Sequence, residues 1–238
     1  MGKIYDALEK SKRHLTLELS KPDRSTLTSE ETSGGQGTRT PPLMPSQSMH
    51  GHLDESLIAY FRPDSVEAEQ FRKLAANIIF QKTESHDRCL LVTSATQGEG
   101  KSFLTANLAV SLAKSLEEPV LLVDCDLRKP QMHKTFGCGE VPGLSDHFSK
   151  GIDLSALIRE TSIDHLRILP AGTKSFHSAE LLSSERTVKI LNTLKSLHKE
   201  GVILIDSPPP LGTAEPIAIA RWVDKVIVVV NCEATPRA

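Results

Sequence analysis

Residues 89–102, CLLVTSATQGEGKS, decide the fold of this chain. The apolar residues 90–92 predict a buried strand, a loop with two glycines follows, and an apolar pattern of helical spacing begins at Lys101 and Ser102. A glycine-bearing loop between a strand and a helix N-terminus presents backbone N–H groups to an anion. The stretch therefore predicts a phosphate-binding loop in which Lys101 pairs with phosphate oxygens and Ser102 ligates Mg²⁺.

The loop matches G-x-x-x-x-G-K-[ST] with one departure, because Ala95 occupies the first glycine position. Alanine is small, although it tolerates positive φ less readily than glycine. The apolar helical pattern that follows is the context the motif requires. We therefore predict that the phosphates of a nucleotide are bound by the loop and the first helical residues, namely Thr96, Gln97, Gly98, Glu99, Gly100, Lys101, Ser102 and Phe103.

Composition excludes several classes of function. The 238 residues are 39% hydrophobic and 24% charged, as in a globular protein, and the net charge of -2 gives no reason to expect nucleic acid as a partner. No apolar run approaches the roughly 18 residues of a membrane span, and no signal peptide is evident, so we expect a cytoplasmic protein. The four cysteines lack C-x-x-C spacing and are predicted to be free thiols: Cys89, Cys125, Cys138 and Cys232.

The chain divides into three predicted parts. Residues 1–18 can form an amphipathic helix with Ile4, Tyr5 and Leu8 on one face, which is either a docking helix for a partner or a frayed tail. Residues 19–54 are rich in Ser, Thr, Pro, Gly and charge, so we expect a disordered, flexible linker. Residues 55–238 form the predicted ATP-binding domain.

Strand and helix patterns alternate through that domain. Apolar runs predict strands at residues 90–93, 120–123, 166–169, 202–205 and 225–230. Helical patterns lie at residues 66–80, 102–116, 131–157 (in short pieces), 178–199 and 214–220. This order predicts an α/β fold of the P-loop NTPase type, a parallel sheet with helices on both faces, whose ligand lies beyond the carboxyl ends of the strands.

Two further groups of charged residues follow predicted strands. In VLLVDCDLRKP the strand delivers Asp124, Asp126 and Arg128 at alternate positions, and in VILIDSPPP it delivers Asp206. Such charges are costly at the end of an apolar strand unless a metal, a phosphate or one another satisfies them. We predict a catalytic group made of Lys101, Asp124, Asp126 and Arg128. The predicted ligands of Mg²⁺ are Ser102, Asp124 and Asp206.

The segments ATQGEGKS, LLVDCDLR and ILIDSPP closely resemble the Walker A, A′ and B motifs of the bacterial tyrosine kinases, the autokinases of capsule and exopolysaccharide loci. MGKIYDALEK, AEQFRKL, GLSDHF, LPAGTKS and AELLSS also resemble that family, particularly its stand-alone members. The resemblance implies a fold close to the MinD and ParA ATPases, with ATP and Mg²⁺ used to phosphorylate protein tyrosines.

The resemblance also implies individual roles. Lys101 would hold the phosphates, Ser102 and Asp206 the magnesium, and Asp124 and Asp126 would organise the metal and the acceptor hydroxyl. The implied partners are ATP, other copies of the chain in a homo-oligomer, and a membrane polysaccharide co-polymerase that would recruit the protein to the inner membrane.

Several positions depart from the family pattern. In the E-x-x-R-x-x-R motif of the oligomerisation helix, Glu69 and Arg72 fit but Ala75 replaces the last arginine. His177 and Ser178 stand where Asn-Pro usually precedes Ala-Glu-Leu-Leu. These departures put the oligomeric state and one loop in doubt without touching the phosphate-binding residues.

The C-terminal tyrosine cluster of the family is not present in this sequence. The only tyrosines are Tyr5 and Tyr60, and the family's final strand and helix after Val230 are also missing. We expect either that the sequence is a C-terminally truncated piece or that the protein phosphorylates something other than its own tail.

Three functions are compatible with these motifs. The first is an ATP-dependent protein tyrosine kinase that regulates polysaccharide polymerisation or export. The second is a MinD/ParA-like ATPase switch in which water attacks the phosphate. It is disfavoured because that class carries a second lysine early in the loop, where this chain has Thr96 and Gln97. The third is a scaffold that binds nucleotide without turnover. The missing C-terminal elements favour it, and four intact residues disfavour it, namely Lys101, Ser102, Asp124 and Asp206.

Overall fold

The computed structural model describes residues 51–80, 88–175, 181–182, 185–211, 213–232 and 235. Its helices are α1 Ile58–Phe61, α2 Val66–Phe80, α3 Lys101–Ser115, α4 Met132–Thr135, α5 Leu144–Lys150, α6 Leu154–Leu157, α7 Glu185–Leu197 and α8 Glu215–Ala220. Its strands are β1 Cys89–Ser94, β2 Val120–Asp124, β3 Arg159–Glu160, β4 Leu166–Leu169, β5 Val202–Asp206 and β6 Lys225–Val229. The five predicted strands are confirmed to within one residue at each end.

The strands form one sheet in the order β3-β4-β2-β5-β1-β6. Every neighbouring pair is parallel except β3 and β4, which pair through two residues in antiparallel register. The predicted parallel sheet is thus confirmed, while the short β3 was not predicted because two residues carry no periodicity. The central strands β2, β5 and β1 end at the same edge of the sheet, and the three charged segments of the sequence follow them.

Successive residues of the central strands enter two separate cores, because side chains alternate between the faces of a sheet. Leu90 and Leu204 pack on one face with α2 and α3, whereas Leu91 and Ile205 pack on the other with α5, α6, α7 and α8. Since helices cover both faces, the strands are continuously apolar. This arrangement confirms the three-layer α/β/α architecture.

Strand β6 is less buried than its apolar sequence suggests. Val226 and Val228 are 45% and 58% exposed. The reason is positional, since β6 is last in the strand order and pairs with β1 on one side only among the described strands. The apolar run correctly predicted a strand but not its place at the edge.

An N-terminal strap, residues 51–61, lies against α3 and α4. The Asp54 N–H donates to Thr135 O at 3.0 Å, and Leu57 is fully buried. The side chain of Asn107 on α3 donates to Ser56 O at 3.0 Å and accepts from Ala59 N at 2.9 Å. The predicted helix 1–18 and residues 19–50 of the predicted linker lie outside the described residues.

Two positions of the predicted oligomerisation motif have partners within the chain. Arg72 donates to Glu69 at 2.6 Å and to the carbonyl of Pro63 at 2.6 Å, while Ala75 is fully buried in the core shared by α2 and α3. An arginine at position 75 would therefore place its stem in this core. Across the described ranges, no helix is long and apolar enough to cross a membrane.

Asn107→Ala should lower the free energy of unfolding by about 1–2 kcal/mol, because it removes two partly buried hydrogen bonds that hold the strap. Urea denaturation measures the change. The matched control is Asn192→Ala, an exposed position on α7, which should alter stability by less than about 0.5 kcal/mol. Equal effects of the two substitutions would contradict this role of Asn107.

Candidate active site

The phosphate loop joins β1 to α3 and holds itself in shape. Gly98 and Gly100 have φ angles of 90° and 86°, in the left-handed region that glycine tolerates best. Glu99 accepts a hydrogen bond from the Thr96 N–H at 2.6 Å and another from the Thr235 hydroxyl. These bonds, that from Thr235 first, hold the pKa of Glu99 below its usual range. The loop is therefore preorganised around its own carboxylate.

Lys101 reaches the carboxyl ends of two other strands. Its Nζ lies 3.0 Å from Ser102 Oγ, 3.3 Å from Asp126 Oδ2 and 3.7 Å from Asp206 Oδ2. Ser102 Oγ in turn donates to Asp206 Oδ2 at 2.7 Å. Four of the predicted site residues thus meet, and we call Lys101, Ser102, Asp126 and Asp206 the Lys101 cluster.

The sequence analysis did not identify Thr105. Its hydroxyl lies 2.7 Å from Lys101 O and 3.4 Å from Asp206 Oδ1. Thr105 follows Lys101 by four residues, so both lie on one face of α3, and this spacing was the available signal. Thr105 and Ser102 orient the two oxygens of the buried Asp206.

Asp124 lies beside the cluster but makes different bonds. It is opposite Asp206 in the β2–β5 register and accepts the N–H groups of Asp126 at 3.0 Å and Met132 at 3.2 Å. Burial, and next the charge of Asp206, raise the pKa of Asp124 to about 8. Burial likewise raises the pKa of Asp206. Asp124 therefore fixes the segment after β2, while Asp126 faces Lys101.

Arg128, predicted as catalytic, points to a partner that the sequence analysis missed. Its guanidinium forms an ion pair at 3.3 Å with Glu215, a fully buried residue in the first turn of α8. Because the two residues are far apart in the sequence, no local pattern predicted this pair. Arg128 thus links the segment after β2 to the helix that follows β5.

Phe103, Gln97 and the four cysteines were also named in the sequence analysis. Phe103 is 41% exposed and packs edge-on against Phe71 with ring centroids 5.8 Å apart. Gln97 is exposed at the tip of the loop. All four cysteines are free, as predicted, and burial raises the pKa of Cys125 well above its usual range. Cys125 is therefore a packing residue between the two aspartates rather than a nucleophile.

The donor set of the Lys101 cluster fits Mg²⁺. This ion takes oxygen ligands and shares them with phosphates and water rather than needing a closed protein cage. Ser102 and Asp206 offer a hydroxyl and a carboxylate oxygen, and the described residues contain no cluster of three or more His, Cys, Asp or Glu that would form such a cage. Asp126 and Asp206 are two carboxylates beside the single ammonium of Lys101, and a cation would balance the remaining negative charge.

Comparison with known proteins identifies the family of this chain. Residues 88–237 match the model of a family described as an AAA domain. Over 185 residues the chain is 30% identical to the tyrosine-protein kinase YwqD of Bacillus subtilis, covering 78% of this chain and 77% of that one. This chain belongs to the bacterial tyrosine kinases. The enzyme class implied by the family resemblance, a protein tyrosine kinase, is confirmed.

Two solved structures have folds similar to that of this chain. The chimeric protein CapA2B2 superposes with a TM-score of 0.69 at 31% identity, over 78% of this chain and 80% of that one. MinD of Pyrococcus horikoshii, solved with Mg-ADP, gives a TM-score of 0.53 at 28% identity, over 60% and 58%. The predicted P-loop fold and its likeness to MinD are both confirmed.

The raised pKa of Asp124 predicts a pH dependence of stability. Between its usual value of 3.8 and about 8, the folded chain keeps a proton on Asp124 that the unfolded chain releases. The folded state binds more protons, so the free energy of unfolding falls as pH rises through this range. We expect the melting temperature of the nucleotide-free protein to fall between pH 5 and pH 8.

Scanning calorimetry at both pH values tests this expectation, with Asp124→Asn as the comparison. The variant should show a smaller pH dependence, because asparagine carries no proton to release. An identical decrease in both proteins would assign the pH dependence to other groups.

Proposed function

We propose that this kinase transfers the γ-phosphoryl group of ATP to tyrosine hydroxyls of a protein that controls capsular or exopolysaccharide synthesis or export. The observation that carries the proposal is the Lys101 cluster, in which side chains following β1, β2 and β5 meet at one edge of the sheet. Phosphoryl transfer needs such positioning and charge neutralisation more than it needs a protein nucleophile.

The chain's own residues divide the task. The N–H groups of the phosphate loop and the ammonium of Lys101 would bind the phosphates of ATP. Ser102 and Asp206, with Asp124 on the neighbouring strand, would hold Mg²⁺, which supplies neutralisation of phosphate charge. Thr105 keeps Asp206 oriented, so that the carboxylate does not have to reorganise when substrate binds.

Asp126 is the carboxylate best placed for the acceptor. Its side chain is 14% exposed, whereas Asp124 is almost fully buried, and it faces Lys101. The tyrosine oxygen attacks the γ-phosphorus, the bond from that phosphorus to the β–γ bridging oxygen breaks, and ADP leaves. Asp126 orients the tyrosine hydroxyl and accepts its proton. Asp124 positions Asp126 through the Asp126 N–H bond.

A second candidate function is the ATPase switch, which the likeness to MinD supports. The same cluster would then align water instead of tyrosine. The two functions separate in one assay, because a kinase transfers ³²P from γ-labelled ATP to a tyrosine peptide, whereas a switch releases it as inorganic phosphate.

The proposal extends to recruitment. Residues 1–18 would bind a membrane polysaccharide co-polymerase and bring the kinase to the inner membrane, and copies of the chain would associate there. The strap supports this route, since its bonds to Asn107 and Thr135 connect the chain that follows residue 50 with the helices beside the active site.

Lys101→Met and Asp126→Asn should each reduce transfer from ATP to a tyrosine peptide by about 10²–10³-fold, because each removes a charge that acts on the reacting groups. Lys101→Met should also weaken ATP binding, whereas Asp126→Asn should mainly lower kcat. Peptide labelling with γ-³²P-ATP measures the rates, and circular dichroism verifies folding.

The matched control is Lys199→Met, because Lys199 is exposed and lies beyond the C-terminus of α7. It should keep the wild-type rate. Full activity of Lys101→Met would exclude the assigned site, and hydrolysis without peptide labelling by the wild type would favour the switch.

A further inference from the structure

A charged cavity of about 780 Å³ opens beside the active site. Its walls come from the segment after β2 (residues 128–135), from α5 and the loop before it, from residues 172–174 after β4, and from the strap at Asp54. Apart from Arg128, none of the residues predicted to bind nucleotide or metal or to act in catalysis lines this cavity.

The cavity wall begins at the catalytic aspartates. The Lys129 N–H donates to Asp126 Oδ1 at 3.0 Å, and the Met132 N–H donates to Asp124 Oδ2. On the other side, the Ser175 N–H bonds to Leu127 O at 2.9 Å and brings residues 172–174 next to the same segment. A ligand in the cavity would therefore lie directly beside the proposed acceptor position.

Positive charge predominates in the cavity. Five cationic side chains line it, and they are Arg128, Lys129, Lys134, Lys150 and Lys174. Three carboxylates oppose them, Asp54, Glu140 and Asp146. Burial lowers the pKa of His133 in the same wall, which keeps that imidazole neutral at pH 7. Glu215, the ion-pair partner of Arg128, brings the opposing carboxylates to four against five cations, so the cavity keeps a net positive charge although the whole chain carries -2.

One of the carboxylates is committed to the structure. Asp146 accepts from Lys150 at 2.8 Å and from the N–H groups of Gly143 at 2.9 Å and Thr173 at 3.2 Å. These bonds outweigh its burial and hold its pKa at about 2. Asp146 and Lys150 therefore neutralise each other, while the side chains of Lys129 and Lys134 are exposed along the wall.

We propose that the charged cavity binds the protein acceptor, as a short extended segment with acidic residues beside its tyrosine. The inference rests on the proposed function and specifies its substrate class. A cavity of this volume holds a few residues of extended chain, which rises about 3.3 Å per residue. Its cations are spread over several segments rather than converging on one point, which suits a polypeptide more than a single small anion.

The test uses the full chain with Lys129→Glu and Lys134→Glu combined, and two tyrosine peptides of equal length, one acidic and one basic around the tyrosine. Wild type should prefer the acidic peptide. The double variant should have a KM for the acidic peptide at least tenfold above that of the wild type. Its kcat and its KM for ATP should change less than about twofold. The same variant should gain activity on the basic peptide.

Lys199→Glu, on the opposite edge of the sheet near the start of β5, is the matched control and should retain the wild-type preference. A milder variant, Lys134→Gln, keeps the test valid if the double variant fails to fold. It should raise the KM for the acidic peptide about threefold, while its thermal unfolding stays at the wild-type temperature.

The outcomes separate the two proposals. Transfer to both peptides with equal KM, unchanged in the charge-reversed protein, would overturn the acceptor cavity and leave the kinase function standing. ATP hydrolysis without transfer to either peptide would overturn both. Competition by inorganic phosphate at the cavity, with no effect of peptide charge, would show a small-anion site instead and would likewise overturn the proposal.

Discussion

Two carboxylates buried side by side are the constraint on which the rest of this molecule depends. Asp124 and Asp206 end adjacent strands in register, and both are almost fully shielded from water. Two buried carboxyl groups in such a place are stable only when one of them keeps its proton, as the raised pKa of Asp124 indicates, and when hydrogen bonds or positive charge compensate the other. Lys101, the hydroxyls of Ser102 and Thr105, and the backbone after β2 supply that compensation. The phosphate loop, α3 and the Asp126–Met132 segment are therefore positioned by the same two acids.

Helix α3 serves both the core and the site. Its N-terminus carries Lys101, Ser102 and Thr105, and its middle carries Asn107, which holds the N-terminal strap. Leu108 and Leu112 of the same helix are fully buried against the sheet. A rigid helix with this many contacts keeps the lysine and serine within hydrogen-bond distance of Asp206, as an electrostatic catalyst requires. The strap and the site therefore both depend on α3.

The sequence predicted most of the fold because its signals are local. Apolar runs located the strands at residues 120–123 and 202–205, and the glycine loop followed by Lys101-Ser102 located the phosphate site. The charges at strand ends also predicted that Asp206 would meet Lys101, since parallel strands end at one edge. The sequence did not predict features that depend on residues far apart in the chain. Neither the ion pair of Arg128 with Glu215 nor the exposure of β6 follows from any spacing along the chain.

The carboxylate of Glu99 acts as an internal competitor for the loop. It accepts the Thr96 N–H at 2.6 Å, so an incoming phosphate that uses this donor must first displace it. Because the pKa of Glu99 is held below its usual range, the carboxylate is charged and its bond to this donor is charge-assisted. The same bond joins the two residues that flank Gln97 and Gly98 and so fixes the tip of the loop. Glu99 is therefore a built-in acceptor of the phosphate loop, which holds the Thr96 N–H in the absence of any external anion.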